Sequence, residues 1–237
     1  VLAFMVAATT AFAAIANTRH NLTTGSSFST KNSDGTATLC GFCHLPHWGN
    51  IGTAGLPLWA RSNPATTSYK VYGSGAGGTI GTTLSGTTVN TPGGMSLVCL
   101  SCHDGTISIG TVQKITTQGT FTTSYPMQGN VTATGIFDPT KFTTSYNPVV
   151  GAGQDLRNDH PVGLIYRGSA ATAAGLSNSI DANNNIVGTF PIYGGGVGTG
   201  TFECASCHEP HLQGSAGQTK FLRTLNAFIC QYCHTTK

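Results

Sequence analysis

The sequence predicts a chain that is mostly coil, with short helices and few short strands, folded as one domain around large rigid groups that are not amino acids. Three observations carry that expectation. Only 8% of the 237 residues are charged and 32 are Gly, while Thr recurs in almost every loop. Leu, Ile, Val and Phe are thin for this length, so a core of side chains alone would be small against the entropy of ordering the chain. Finally, all 8 cysteines fall in repeats of one short motif.

Those repeats are Cys40-Gly-Phe-Cys43-His44, Cys99-Leu-Ser-Cys102-His103, Cys204-Ala-Ser-Cys207-His208 and Cys230-Gln-Tyr-Cys233-His234. Cys-x-x-Cys-His is the attachment signature of haem c. Two thiols add across the two vinyl groups on one porphyrin edge, and the His that follows turns under the ring to bind iron. Structural zinc also uses Cys-x-x-Cys knuckles but has no reason to demand His after each one. A thioredoxin-like pair occurs once, beside a βαβ pattern that this sequence lacks. Disulfides do not account for four identical pairs each trailed by His. With 8 His in the chain, chance placement after all four pairs is on the order of one in a million. Four covalent haem c groups are therefore expected, held by Cys40, Cys43, Cys99, Cys102, Cys204, Cys207, Cys230 and Cys233, with a single domain wrapped around their stack.

The histidines match this count. His44, His103, His208 and His234 are the motif ligands. His20, His47, His160 and His211 equal in number the iron faces left over, so bis-histidine ligation is expected at every haem. Met5, Met95 and Met127 compete weakly, since Met5 lies in an apolar leader and the others share no repeated context. In His44-Leu-Pro-His47 and His208-Glu-Pro-His211, two intervening residues cannot carry the second His round a porphyrin to the opposite face of the same iron. Proline there also stops any helix begun by the motif. His47 and His211 are thus each expected to serve a different haem from their neighbour. Six-coordinate iron leaves no site for a substrate, and two imidazoles favour a lower potential than Met/His ligation. Both points suit electron transfer rather than catalysis.

Along the chain, two motifs lie towards the N-terminus and two close together near the end. The Gly/Thr/Ser-rich section between Thr106 and Glu203 contains His160 as its one His. Alternating stretches at Thr111–Ile115 and Thr189–Tyr193 predict brief strands; Gly73–Thr91 and Gly194–Thr201 read as turn-rich loops. Short helices are expected to carry the motifs. Residues 1–16 are almost wholly apolar and end in small residues like signal-peptidase sites, which implies export. They are shorter than the ~20 residues of a membrane span, and nothing in 17–237, the expected haem domain, is long or apolar enough to be one. The formal charge of +3 becomes about −1 with four oxidised haems and about −5 when they are reduced. The basic residues are spread singly, so no nucleic-acid partner is expected.

Several stretches, in order, resemble a family of exported multihaem cytochromes: Arg19-His20-Asn21-Leu22, Cys40 to His47, Pro57-Leu58-Trp59, Cys99 to Thr106, Asn158-Asp159-His160-Pro161-Val162-Gly163, Cys204 to His211, Lys220-Phe221-Leu222-Arg223 and the last motif. A four-haem chain of this size resembles most the OmcE-like tetrahaem cytochromes, whose subunits polymerise into extracellular filaments. The resemblance implies His20, His47, His160 and His211 as the second ligands. It also implies copies of the same chain as partners, with His20 as the candidate for a ligand supplied across a subunit boundary. Redox proteins or extracellular acceptors such as metal oxides are the further partners expected. A monomeric periplasmic shuttle is the alternative. A multihaem reductase is the third reading, and it needs a five-coordinate haem and acid–base groups that the 8 acidic residues do not obviously supply.

Overall fold

The computed structural model describes residues 15–47, 49, 58–64, 69–84, 86–116, 119–143, 147–166, 175–177, 179–196, 198–212, 221–224 and 227–234. The apolar leader, apart from Ile15 and Ala16, lies outside the described residues, as do Met5, Pro57 and Lys220. Irregular backbone dominates the rest, as expected for a chain rich in Gly and Thr. No helix among the described residues is long and apolar enough to cross a membrane.

Three helices carry three of the four motifs. Helix α1 (Gly94–His103) runs 10 residues and buries Ser96, Leu97, Val98, Leu100 and Ser101. It ends at Asp104, whose N–H donates to the Leu100 carbonyl at 3.1 Å. The next residue, Gly105, has φ of +71°, the left-handed stop that glycine adopts without steric cost. Helices α2 (Cys204–Cys207) and α3 (Ile229–Cys233) are single turns of 4 and 5 residues. Pro210 disfavours helical backbone at Glu209 and so limits α2. The first motif departs from expectation, because Cys40–Cys43 is a hydrogen-bonded turn rather than a helix. Gly41 inside it and Pro46 just after it both weaken a helix.

The strands are mostly two residues long. β1 (Lys31–Asn32) pairs antiparallel with β6 (Met127–Gln128). β2 (Gly81–Thr82), β3 (Thr88–Val89), β7 (Leu164–Ile165) and β10 (Thr201–Phe202) form a four-stranded sheet in the order β10-β7-β3-β2. β4 (Thr111–Thr116) and β5 (Gly119–Ser124) make the longest ladder, and β8 (Asn185–Ile186) pairs with β9 (Phe190–Pro191). The strand expected at Thr111–Ile115 is thus β4. The one expected at Thr189–Tyr193 is realised as β9 with a bridge from Tyr193 to Thr201. Within Gly73–Thr91, read as loop, β2 and β3 form a short hairpin.

Val89, Leu164 and Phe202 of the sheet pack with Leu97 and Leu100 of α1, and with Tyr69, Val71, Leu156, Tyr166, Ile186, Phe190 and Ile192. A smaller cluster joins Phe42 of the first motif to Ala60 and Val112. The loop bearing His160 is anchored to the sheet at Gly163, whose N–H donates to the Phe202 carbonyl at 2.9 Å. Gly163 has φ of +76°, and a Cβ there would lie 2.6 Å from the Asn90 carbonyl oxygen. Only glycine fits.

A structural duplication emerges that the sequence reading did not separate. His44 N–H donates to the Cys40 carbonyl at 2.8 Å, and His208 N–H to that of Cys204 at 3.0 Å. Leu45 N–H bonds the Leu58 carbonyl and Ala60 N–H the Cys43 carbonyl, both at 2.9 Å; Glu209 to Phe221 and Arg223 to Cys207 repeat this at 2.8 and 2.9 Å. His44 bridges Trp59, and His208 bridges Leu222. Leu58 and Phe221 even share a left-handed backbone, at φ of 66° and 60°, which costs a bulky residue about 1–3 kcal/mol. The same strain at equivalent positions marks one supersecondary unit used twice.

Arg61 locks the first of these units to the second motif. It is 1% exposed, and its guanidinium donates to the carbonyls of Ile109 at 2.7 Å, Ser108 at 2.6 Å and Ser101 at 3.1 Å. Removing the guanidinium strands buried carbonyls, each worth about 1–3 kcal/mol. Arg61→Met is therefore expected to lower stability by about 2–4 kcal/mol in a guanidinium melt, with Arg61→Lys recovering only part because a single ammonium cannot fork to three acceptors.

Candidate haem-attachment and ligand site

Each motif presents its two thiols and its imidazole from a single turn. The closing bond from His N–H to the first Cys carbonyl recurs at His234, at 2.8 Å from Cys230, and α1 supplies the same turn for His103. None of the eight cysteines is in a disulfide. Burial pushes the Cys43 and Cys207 thiols up to about 12 and Cys233 up to about 11.

Helices α1 and α2 meet at their N-terminal ends. The Cys99 and Cys204 thiols hydrogen-bond to each other, which together with burial pushes the Cys99 thiol up. Cys204 N–H donates to Ser96 Oγ at 3.0 Å. The Glu203 carboxylate accepts from Ser96 Oγ and, at 3.2 Å, from Gly93 N–H, while Glu203 N–H donates to Ser206 Oγ at 2.9 Å. One carboxylate thus caps two helices, and burial raises its pKa. The second and third motifs are held side by side by this contact.

The decisive geometry is among the imidazoles. His44 faces His211 with ring centres 6.2 Å apart, His103 faces His20 at 6.1 Å, and His234 faces His160 at 6.5 Å. Every pair combines a motif histidine with one from outside a motif. An imidazole nitrogen lies about 2.0–2.1 Å from a bound metal ion and roughly 1.1 Å from its own ring centre, so two trans imidazoles sharing one ion place their centres about 6.2–6.4 Å apart. The observed separations of 6.1–6.5 Å would leave room for one metal ion between the rings of each pair. Hydrogen bonds orient the rings for it: His103 Nδ1–H donates to the Pro148 carbonyl at 2.7 Å, His160 Nδ1–H to the Pro161 carbonyl at 3.1 Å, and His211 Nδ1–H to Glu209 Oε1 at 3.0 Å. Anchoring Nδ1 leaves Nε2 for the metal, the usual arrangement of ligating imidazoles.

His20 is held by stacking on Phe221, with ring centres 4.2 Å apart and planes 10° from parallel. Desolvation pushes its pKa down to about 4 and lowers those of His103 and His160 as well, favouring the neutral ring that binds metal. The His20–His103 pair lies within one chain. Phe221, arriving from the far end of the sequence, stacks on the ring, so both ring neighbours described for His20, Phe221 and His103, belong to its own chain.

Several contributing residues carried no motif. Trp59 lies edge-on to His44, with ring centres 5.8 Å apart, and its buried indole N–H finds no acceptor among the described residues. A porphyrin carboxylate would supply one. Asp104, directly after His103, is buried and accepts from Tyr69 Oη at 2.6 Å and Thr106 N–H at 2.9 Å. The Leu58-Trp59 and Phe221-Leu222 stretches were visible as family-like words, but nothing in their composition signals a strained turn. The residues present therefore fit haem c.

The family described as "Doubled CXXCH motif" matches residues 196–237, which contain the third and fourth motifs. No curated protein matches the chain. The paired motif points to a multihaem c-type cytochrome with covalently bound haem c, and to electron transfer through it. Replacing Cys204 and Cys207 together by Ser is expected to lower the mass of the denatured holoprotein by one haem per chain beyond the substitutions themselves, read by mass spectrometry.

Proposed function

We propose that the chain is a four-haem, wholly bis-histidine electron-transfer protein, and that it serves as the subunit of an extracellular cytochrome filament. The observation that carries the electron-transfer reading is the pairing of motif with non-motif imidazoles at 6.1–6.5 Å. Bound haem c would supply one-electron redox chemistry. The chain's part is to hold both axial imidazoles, favour the neutral rings of His20, His103 and His160 by desolvation, and fix neighbouring groups close together through the His44–His47 and His208–His211 tethers. With all eight histidines engaged as ligands, no substrate position remains, so the protein is not an enzyme.

The filament reading is favoured by the ordered family-like stretches from His20 to His234, the arrangement expected of a subunit that continues a haem stack beyond its own ends. A monomeric shuttle is the second reading, favoured by the intrachain His20–His103 pair, which completes that ligand set without a neighbouring copy. Electron microscopy of native material distinguishes them. Filaments with a regular subunit repeat are expected; dispersed particles of one chain would leave the shuttle.

His20→Ala tests the cis assignment. Four covalent haems are expected to remain, with one of the four converted to a high-spin ferric signal even in chains kept as monomers. A monomer whose spectrum is unaltered by the substitution contradicts the assignment.

A further inference from the structure

Resting on the reading that every motif holds a haem, we infer that the groups attached at Cys40/Cys43 and at Cys204/Cys207 form one reciprocally capped pair. The His44–His47 tether gives an axial imidazole to each, and the His208–His211 tether gives each its other.

Two independent lines lead there. The first is the duplication. Units 40–61 and 204–224 share their hydrogen bonds, their bridges and their left-handed residue, so His44 corresponds to His208 and His47 to His211. The observed contact runs from the motif His of one unit to the tether His of the other, His44 to His211 at 6.2 Å with planes 20° apart. Two like units related by a local two-fold axis repeat each contact with the roles exchanged; we infer that relation here, and it makes the exchanged contact His208 to His47. The second line is arithmetic. The pairs His20–His103, His160–His234 and His44–His211 use six of the 8 histidines, so bis-histidine ligation at all four motifs requires the fourth pair to be His47 with His208.

The consequence concerns order. Three residues span at most about 11 Å between Cα atoms, so each tether forces its two groups into contact distance. Groups carried by the first and third motifs are therefore neighbours, although the second motif lies between them in sequence. The third also adjoins the second through the Cys99–Cys204 thiol contact. Electrons do not visit the four groups in the order in which the chain attaches them.

The test replaces one tether imidazole by a thioether, as H211M or H47M in the full-length holoprotein. Each variant is expected to gain one sulfur-to-ferric-iron charge-transfer band and to raise one reduction potential. The H211M band is expected to disappear when C40A/C43A is added and to survive C204A/C207A; the H47M band is expected to behave in the opposite way. Survival of the H211M band in C40A/C43A would overturn the pairing while leaving bis-histidine ligation intact. Absence of any new band, with unchanged low-spin spectra, would overturn the ligand reading beneath it. Should the doubly substituted chains not mature, nuclear Overhauser contacts in reduced H211M decide the matter: from the new methyl to the thioether protons of Cys40 and Cys43 in support, to those of any other motif against.

Discussion

Everything in this protein depends on one closed turn, in which the N–H of a histidine bonds the carbonyl of the cysteine four residues earlier. That bond aims two thiols and an imidazole in fixed relation, and its lengths of 2.8–3.0 Å at His44, His208 and His234 show three motifs reaching the same geometry from different contexts. One sits in a turn and two in single-turn helices. The local bond, rather than helix propensity, sets the shape. The rest of the chain can then be loose, since its task is to bring a second imidazole to the proper distance from each turn.

That task is done by small, strongly anchored pieces. Gly163 ties the His160 loop to a sheet edge, Phe221 stacks on His20, and the strained backbones of Leu58 and Phe221 each receive the residue that follows a motif histidine. Strain of this kind persists where the surroundings over-determine it. Arg61, Asp104 and Glu203 are buried in a chain in which only 8% of residues are charged. Each lies against an attachment segment, satisfying backbone groups or capping helix ends in a region with few ordinary ladders to do so.

Much of the site was legible in the sequence because covalent chemistry demands invariant spacing. Four Cys-x-x-Cys-His words and four extra histidines announced the attachment turns and a ligand set, and alternating residues at Thr111–Ile115 announced β4. The partner of each histidine was not legible, because His20 and His103, or His44 and His211, meet through tertiary packing that no local period encodes. The helix expected at Cys40–Cys43 failed on Gly41 and Pro46, whose weight against propagation exceeds the gain from so short a segment. The Cys-x-x-Cys-His-x-Pro-His half of the duplicated unit was legible, but its returning half escaped notice because that lies in φ angles and carbonyl partners: Leu58-Trp59-Ala60 and Phe221-Leu222-Arg223 match at no position.

The central claim is iron held covalently at four places and capped on both faces by imidazole. Electron paramagnetic resonance of the oxidised holoprotein, taken with its haem-to-chain ratio, measures both halves at once. The account predicts four haems per chain and an entirely low-spin ferric spectrum. Fewer than four haems, or a substantial high-spin component in the unsubstituted protein, would contradict it.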